Sequence, residues 1–155
     1  MKAEFVNPFF KATNDVFNSM LDIEPMRGEL GVVEDIVSGG KANVMIGVTG
    51  SLSGTVMYSF PEDMTLEIVK IMSGMEMDKL DSFVTSALGE VANIISGNAM
   101  NYLNQGDYEC DIVPPQVIIG ENQSISMATE KALTLPLMTD IGDFEINISI
   151  KEKNE

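Results

Sequence analysis

The chain has 155 residues, 45% apolar and 21% charged, with no low-complexity tract, so one folded globular domain over 1–155 is expected and a disordered polymer is excluded. Its 9 Lys and Arg stand against 24 Asp and Glu, a net charge of -15 that repels a phosphate backbone and argues against a nucleic-acid partner. There is no histidine and a single cysteine, Cys110, which removes disulfide frameworks, Cys/His zinc sites, Ser-His-Asp triads and phosphohistidine relays.

The opening Met1-Lys2-Ala3-Glu4-Phe5 has no long apolar stretch behind a basic start. No later run approaches the roughly 18 apolar residues that span a bilayer, so a cytoplasmic protein without membrane contact is expected. Residues 4–21 place Phe5, Phe9, Phe10, Val16, Phe17, Met20 and Leu21 at largely helical spacing, and Pro8 fits the first turn of a helix beginning near Asn7. Glu24-Pro25-Met26-Arg27-Gly28 interrupts it, and extended runs follow near 30–37, 41–49 and 52–60, with Gly39-Gly40 and Gly50-Ser51 as turns. Pro61-Glu62-Asp63 opens a second helix to about Ser73, its acids at the positive end of the helix dipole and Gly74 at its close. Asp78 to about Leu103 reads as one long helix, after which Gly106 and Pro114-Pro115 break the pattern. Extended segments near 116–119 and 124–138 come next, and a last strand covers about 143–151 beyond the turn Asp140-Ile141-Gly142-Asp143.

Val44 to Phe60 and Leu133 to Ile150 share one outline, two alternating apolar strands around a Gly-containing turn. The expected fold class is therefore α/β (α+β): a pseudo-twofold layered domain of antiparallel strands backed by helices, one of them long.

The long helix carries the most specific signal. At about 100° per residue, Ser86, Glu90, Asn93, Gly97 and Asn101 fall in one narrow stripe, and Val84, Leu88, Val91, Ile95, Ala99 and Tyr102 line the opposite face. Glycine inside a helix costs roughly 1 kcal/mol against alanine, so Gly89 and Gly97 ask for a reason. Close approach of another backbone is one; relief of crowding against a neighbouring helix of the same protein is the other. Spacing alone decides nothing, because Glu4-x-x-Asn7 and Asp15-x-x-Asn18 repeat the Glu90-x-x-Asn93 pattern, and such pairs are ordinarily solvated helix faces.

The setting of the third pair adds to it. Ser86-x-x-x-Glu90-x-x-Asn93, followed by Ile94-x-x-Gly97-Asn98-Ala99 and then Pro114-Pro115, resembles the signature of the CheC/CheX/FliY chemotaxis phosphatases, and the order of elements agrees over most of the chain. One copy of the signature, rather than two, resembles the CheX branch; Ser86 stands where many relatives carry Asp. The resemblance implies a hydrolase acting on the phosphoaspartate of a phosphorylated CheY-like response regulator. In it Asn93 orients the attacking water, Glu90 pairs with the regulator's active-site lysine, and Ser86 and Gly97 contact the partner. It further implies a homodimer and no metal or cofactor of the chain's own, magnesium being carried by the regulator. Phosphoryl transfer needs an oriented water and balanced charge more than covalent help, so the lack of histidine is no obstacle. The alternative is a non-catalytic module that binds a response regulator or a flagellar switch component.

Other residues read more plainly. Cys110 is expected to be a small packed hydrophobe rather than a thiol nucleophile. Met72, Met75 and Met77, among 12 methionines, are expected as core fillers in preference to a plastic partner surface. Glu62 and Asp63 are expected as helix-start acids.

Overall fold

The computed structural model describes residues 3–33, 36–37, 40–120, 124–125 and 132–153. Two long hairpins form its centre. In the first, β4 (Ala42–Gly50) and β5 (Leu52–Phe60) alternate so that Val44, Ile46, Val48, Val56, Tyr58 and Phe60 point into the core. Gly50 makes the turn at φ 101°, where an added Cβ would lie 2.2 Å from the Glu109 carbonyl oxygen, so only glycine fits. The second hairpin joins β9 (Ala132–Thr139) to β10 (Gly142–Glu152) and buries Leu135, Leu137, Phe144, Ile146, Ile148 and Ile150 in the same way.

β5 and β10 pair antiparallel from Ser59–Glu145 to Leu52–Glu152 and join the hairpins into one sheet. Short strands then cover both outer edges. β1 (Met26–Arg27) and β2 (Gly31–Val33) lie on β9, whereas β6 (Cys110–Ile112) and β7 (Gln116–Ile119) lie on β4. The eight-stranded sheet thus runs β1-β9-β10-β5-β4-β6, with β2 and β7 beside β1 and β6, and β3 (Ile36–Val37) pairs separately with β8 (Ser124–Ile125). Each half is a helix followed by five strands, and each lays two of its three short strands on the hairpin of the other. This is the pseudo-twofold arrangement expected from the repeated outline.

Among the described residues three α-helices accompany the sheet: α1 (Asn7–Val16), α2 (Glu62–Ser73) and α3 (Ser82–Asn104). α1 packs on α3. Phe144 stacks between Phe17 and Phe60 at centroid distances of 5.3 and 4.6 Å, tying the first-helix region to both central strands. Among the described residues no helix is long and apolar enough to cross a membrane.

Several boundaries differ from the sequence reading. The first helix is α-helical only to Val16 and continues as a wider π turn over Phe17–Leu21, closed by Asp22 in the left-handed region at φ 55°. α3 begins at Ser82 rather than Asp78, because Asp81 is the residue whose carboxylate caps the helix, accepting the Val84 N–H at 3.0 Å. The 30–37 run is two short strands, and the 124–138 segment is β8 and β9. Gly39 of the Gly39-Gly40 turn, and residues 34–35, 38 and 126–131 of these stretches, lie outside the described residues. β1 and β6 were not expected at all. The second helix matches, with Pro61 at its N-cap and the Gly74 N–H bonding to the Lys70 carbonyl at 2.8 Å.

Candidate functional site on the long helix

The rotation of α3 decides which residues the protein presents. Its apolar arc, including Val84, Leu88, Val91, Ala92, Ile95, Ala99 and Leu103, is buried. On that side the hydroxyls of Tyr58 on β5 and Ser96 share a buried hydrogen bond of 2.7 Å. Burial drives the Tyr58 phenol far above its usual range, outweighing the opposite pull of the Ser96 bond, so the tyrosine stays neutral. With Ser96 held inward, Gly97 turns outward.

Both flanks of the exposed stripe are fixed as well. On one side Tyr102 donates its hydroxyl to Asp15 of α1, with the Lys11 ammonium 5.8 Å from the ring centroid. That hydrogen bond is the main cause of the raised Tyr102 pKa. Tyr102 is therefore half-buried at an interhelical contact rather than part of the core face. On the other side Gly89 faces β7: a Cβ there would sit 3.4 Å from Val117 Cγ2 and 3.9 Å from Pro115 Cγ. The Pro114-Pro115 segment thus borders the stripe in space.

Between these flanks the structure places all the residues singled out from the sequence. Ser86, Glu90 and Asn101 are exposed, and Asn93 and Gly97 are half-buried. Glu90 and Asn93 are one turn apart, about 4.5 Å along the axis. Among the described residues no side-chain hydrogen bond or ion pair engages Ser86, Glu90 or Asn93.

The two competing pairs are engaged within the fold. Glu4 accepts from the Tyr108 hydroxyl at 3.3 Å and Asn7 from Arg27 at 3.1 Å. Asp15 accepts from Tyr102, and Asn18 donates to the Asn14 carbonyl at 2.7 Å. Glu4 also lies in a separate 3-10 turn ahead of α1, so it and Asn7 do not share one helix.

Of the two readings of the helix glycines, relief of crowding against a neighbouring helix is the one the structure contradicts. Neither abuts a neighbouring helix: Gly89 meets a strand at ordinary contact distance, and a Cβ on Gly97 would find nothing within 4 Å. The space over Gly97 is open to a partner.

The remaining candidates are structural. Cys110 is buried, and burial raises its thiol pKa against the lowering effect of the Leu52 backbone, as suits a packed hydrophobe. Glu62 forms an ion pair with Lys41 at 3.3 Å. Met72 packs against the core, but Met75 is 51% exposed and Met77 is half-buried beside α2, so core filling describes only the first of the three. Among the described residues no group of three or more acids or cysteines is placed to hold a metal ion.

One hollow of 250 Å³ is lined by Ser59, Pro136, Asp143 and Glu145, and another of 480 Å³ by Asp63, Glu67, Lys70 and Glu76; the stripe lines neither. A helix face that offers a free carboxylate and a free amide, and that lines neither hollow, suits contact with another protein better than capture of a small molecule. One ridge residue, Phe83, escaped the sequence reading, although its place seven residues before Glu90 puts it within about 20° of the same line.

Comparison with known proteins agrees with this layout. The family model for chemotaxis phosphatase CheX matches residues 42–138, from β4 through α3 to β9. The CheY-P phosphatase CheX of Thermotoga maritima is 31% identical over 153 residues, covering 97% of this chain and 98% of the relative. The crystal structure of the chemotaxis protein CheX from Desulfovibrio desulfuricans superposes with a TM-score of 0.87 at 29% identity, covering 96% of this chain and 99% of the other. The CheX–CheY–BeF3–Mg2+ complex of Borrelia burgdorferi gives a TM-score of 0.77 at 30% identity, covering 97% and 100%. With the family-model match and the near-complete coverage of these relatives together, the chain belongs to the chemotaxis phosphatase CheX family.

Proposed function

We propose that the chain is a phosphoaspartyl-protein phosphatase that hydrolyses the acyl phosphate of a CheY-like response regulator in the cytoplasm. The observation that carries this reading is that Glu90-x-x-Asn93 alone, of three similar pairs, has both side chains free of internal partners on the outward face of its helix. The relative captured with CheY and BeF3, a mimic of a carboxylate-bound phosphoryl group, supports the choice of substrate.

In this mechanism the ridge enters the regulator's active site, and the Asn93 amide, both donor and acceptor, holds a water in line with phosphorus. The water oxygen bonds to phosphorus as the bond from phosphorus to the aspartate carboxylate breaks. The regulator leaves with a free carboxylate, and the phosphate carries away the water's oxygen with its two protons, one of which it exchanges with solvent. Glu90 pairs with the regulator's lysine and fixes the docking register. Gly97 lets the partner's backbone come close, and Ser86 contacts the partner at the other end of the stripe. Magnesium enters with the regulator. A homodimer is the proposed assembly.

The test is the decay of a phosphorylated CheY-type regulator alone, with the protein, and with Asn93→Ala. Alanine favours the helix, so the fold is expected to hold while turnover falls about 100-fold or more and binding persists. Equal decay in all three samples refutes the phosphatase reading; binding without acceleration by the wild-type protein identifies a non-catalytic module instead.

A further inference from the structure

We infer that Phe83 is the apolar anchor by which the chain grips its response regulator, an inference that rests on the phosphatase reading above. The chain has seven phenylalanines, three tyrosines and no tryptophan. Five of the phenylalanines are in the core, Phe10 packs against it with Arg27 5.2 Å from its ring, and the tyrosines are buried or half-buried. Phe83 is 47% exposed and, among the described residues, makes no ring stacking or cation contact. It is the one aromatic ring that the fold leaves in water.

The ring's position gives this exposure a use. Phe83 precedes Glu90 by seven residues of α3, which places it within about 20° of the Glu90 line and about 10 Å toward the N-terminus. A protein interface of standard size covers about 800 Å² per partner, a disc of roughly 16 Å radius. A partner centred on Glu90 and Asn93 therefore covers Phe83 too.

Charge adds a second argument. The chain carries -15 and its substrate presents an anionic phosphoryl group, so the long-range field opposes their encounter. Affinity has to come from short-range contact, and aromatic side chains, phenylalanine among them, are enriched at interface cores. The occupant is an apolar hollow on the response regulator, about 15 Å from the phosphoaspartate that Asn93 faces. Regulators lacking such a hollow are poorer substrates, which makes Phe83 a specificity determinant.

The experiment compares the full chain with Phe83→Ser and Phe83→Leu, using Borrelia burgdorferi CheY loaded with BeF3 and magnesium for binding and phosphorylated by acetyl phosphate for turnover. Phe83→Ser is expected to raise Kd and KM about tenfold with kcat retained, and Phe83→Leu to recover most of the loss. The melting temperature is expected to change by no more than about a degree, since the half-exposed ring is not among the residues of the core or those packed on it. Unchanged Kd and KM beside an active wild type overturn the anchor and leave the phosphatase reading standing. A lowered kcat at constant Kd, or a melting temperature lowered by several degrees, overturns it too, by assigning the ring to chemistry or to the fold. Failure of the wild-type protein to accelerate decay overturns the phosphatase reading and the anchor together.

Discussion

Gly97 separates stability from function within a single residue. A methyl group there meets nothing within 4 Å, so Gly97→Ala gains roughly 1 kcal/mol of helix propensity at no steric cost to the chain. The melting temperature is expected to rise by about 2–4 °C. Turnover of a phosphorylated regulator is expected to fall at least about tenfold, because the same methyl occupies space proposed for the partner's backbone. A rise in both melting temperature and turnover would show that the open space serves no partner. At this scale the stripe itself was legible from spacing, since one helix fixes the directions of Ser86, Glu90, Asn93 and Gly97. Which Glu-Asn pair stays free was not. Glu4 meets Tyr108 across 104 residues, Asn7 meets Arg27 across 20 and Asp15 meets Tyr102 across 87, partners that no local pattern can name.

At the scale of elements, the bond between Tyr58 and Ser96 pins α3 to the sheet and so aims the ridge. Tyr58→Phe leaves the Ser96 hydroxyl buried without its partner and is expected to cost about 1–3 kcal/mol in denaturant unfolding. The same tyrosine couples the fold to alkaline pH. Its folded-state pKa is raised above the ordinary phenol value of 10.0 while the unfolded phenol ionises normally, so above about pH 10 the unfolded state binds fewer protons and stability falls. Stability from this group is fully present below pH 10, and Tyr58→Phe is expected to flatten the loss above it, as pH-dependent unfolding curves would show. The helices were legible because their signals are local: Pro61 and Gly74 bracket α2, and the apolar period marks α3. The true start of α3 was less so, since Asp78 and Asp81 are equally good caps on paper and only the bond to Val84 chooses between them. β1 and β6 were invisible for another reason. Met26–Arg27 and Cys110–Ile112 are too short to show alternation and become strands only because β9 and β4 offer them open edges.

Across the whole molecule, the repeated outline of the two hairpins made the pseudo-twofold sheet legible, but not the exchange of short strands between its halves. The edge of β9 is closed by residues 26–33 and that of β4 by residues 110–119, so each half finishes the sheet of the other. The only chain crossing between them is α2 and the irregular stretch 75–80 that leads to α3. Interlocked in this way, the protein is expected to behave as a split pair: cut within 75–80 and expressed as two fragments, each piece alone should be unfolded by circular dichroism. Mixed, they should reassemble into a native-like complex that unfolds in one transition, and fragments that fold separately would refute the idea. Covalent continuity is then dispensable, and the ridge on α3 depends for its support on strands that belong to the other piece.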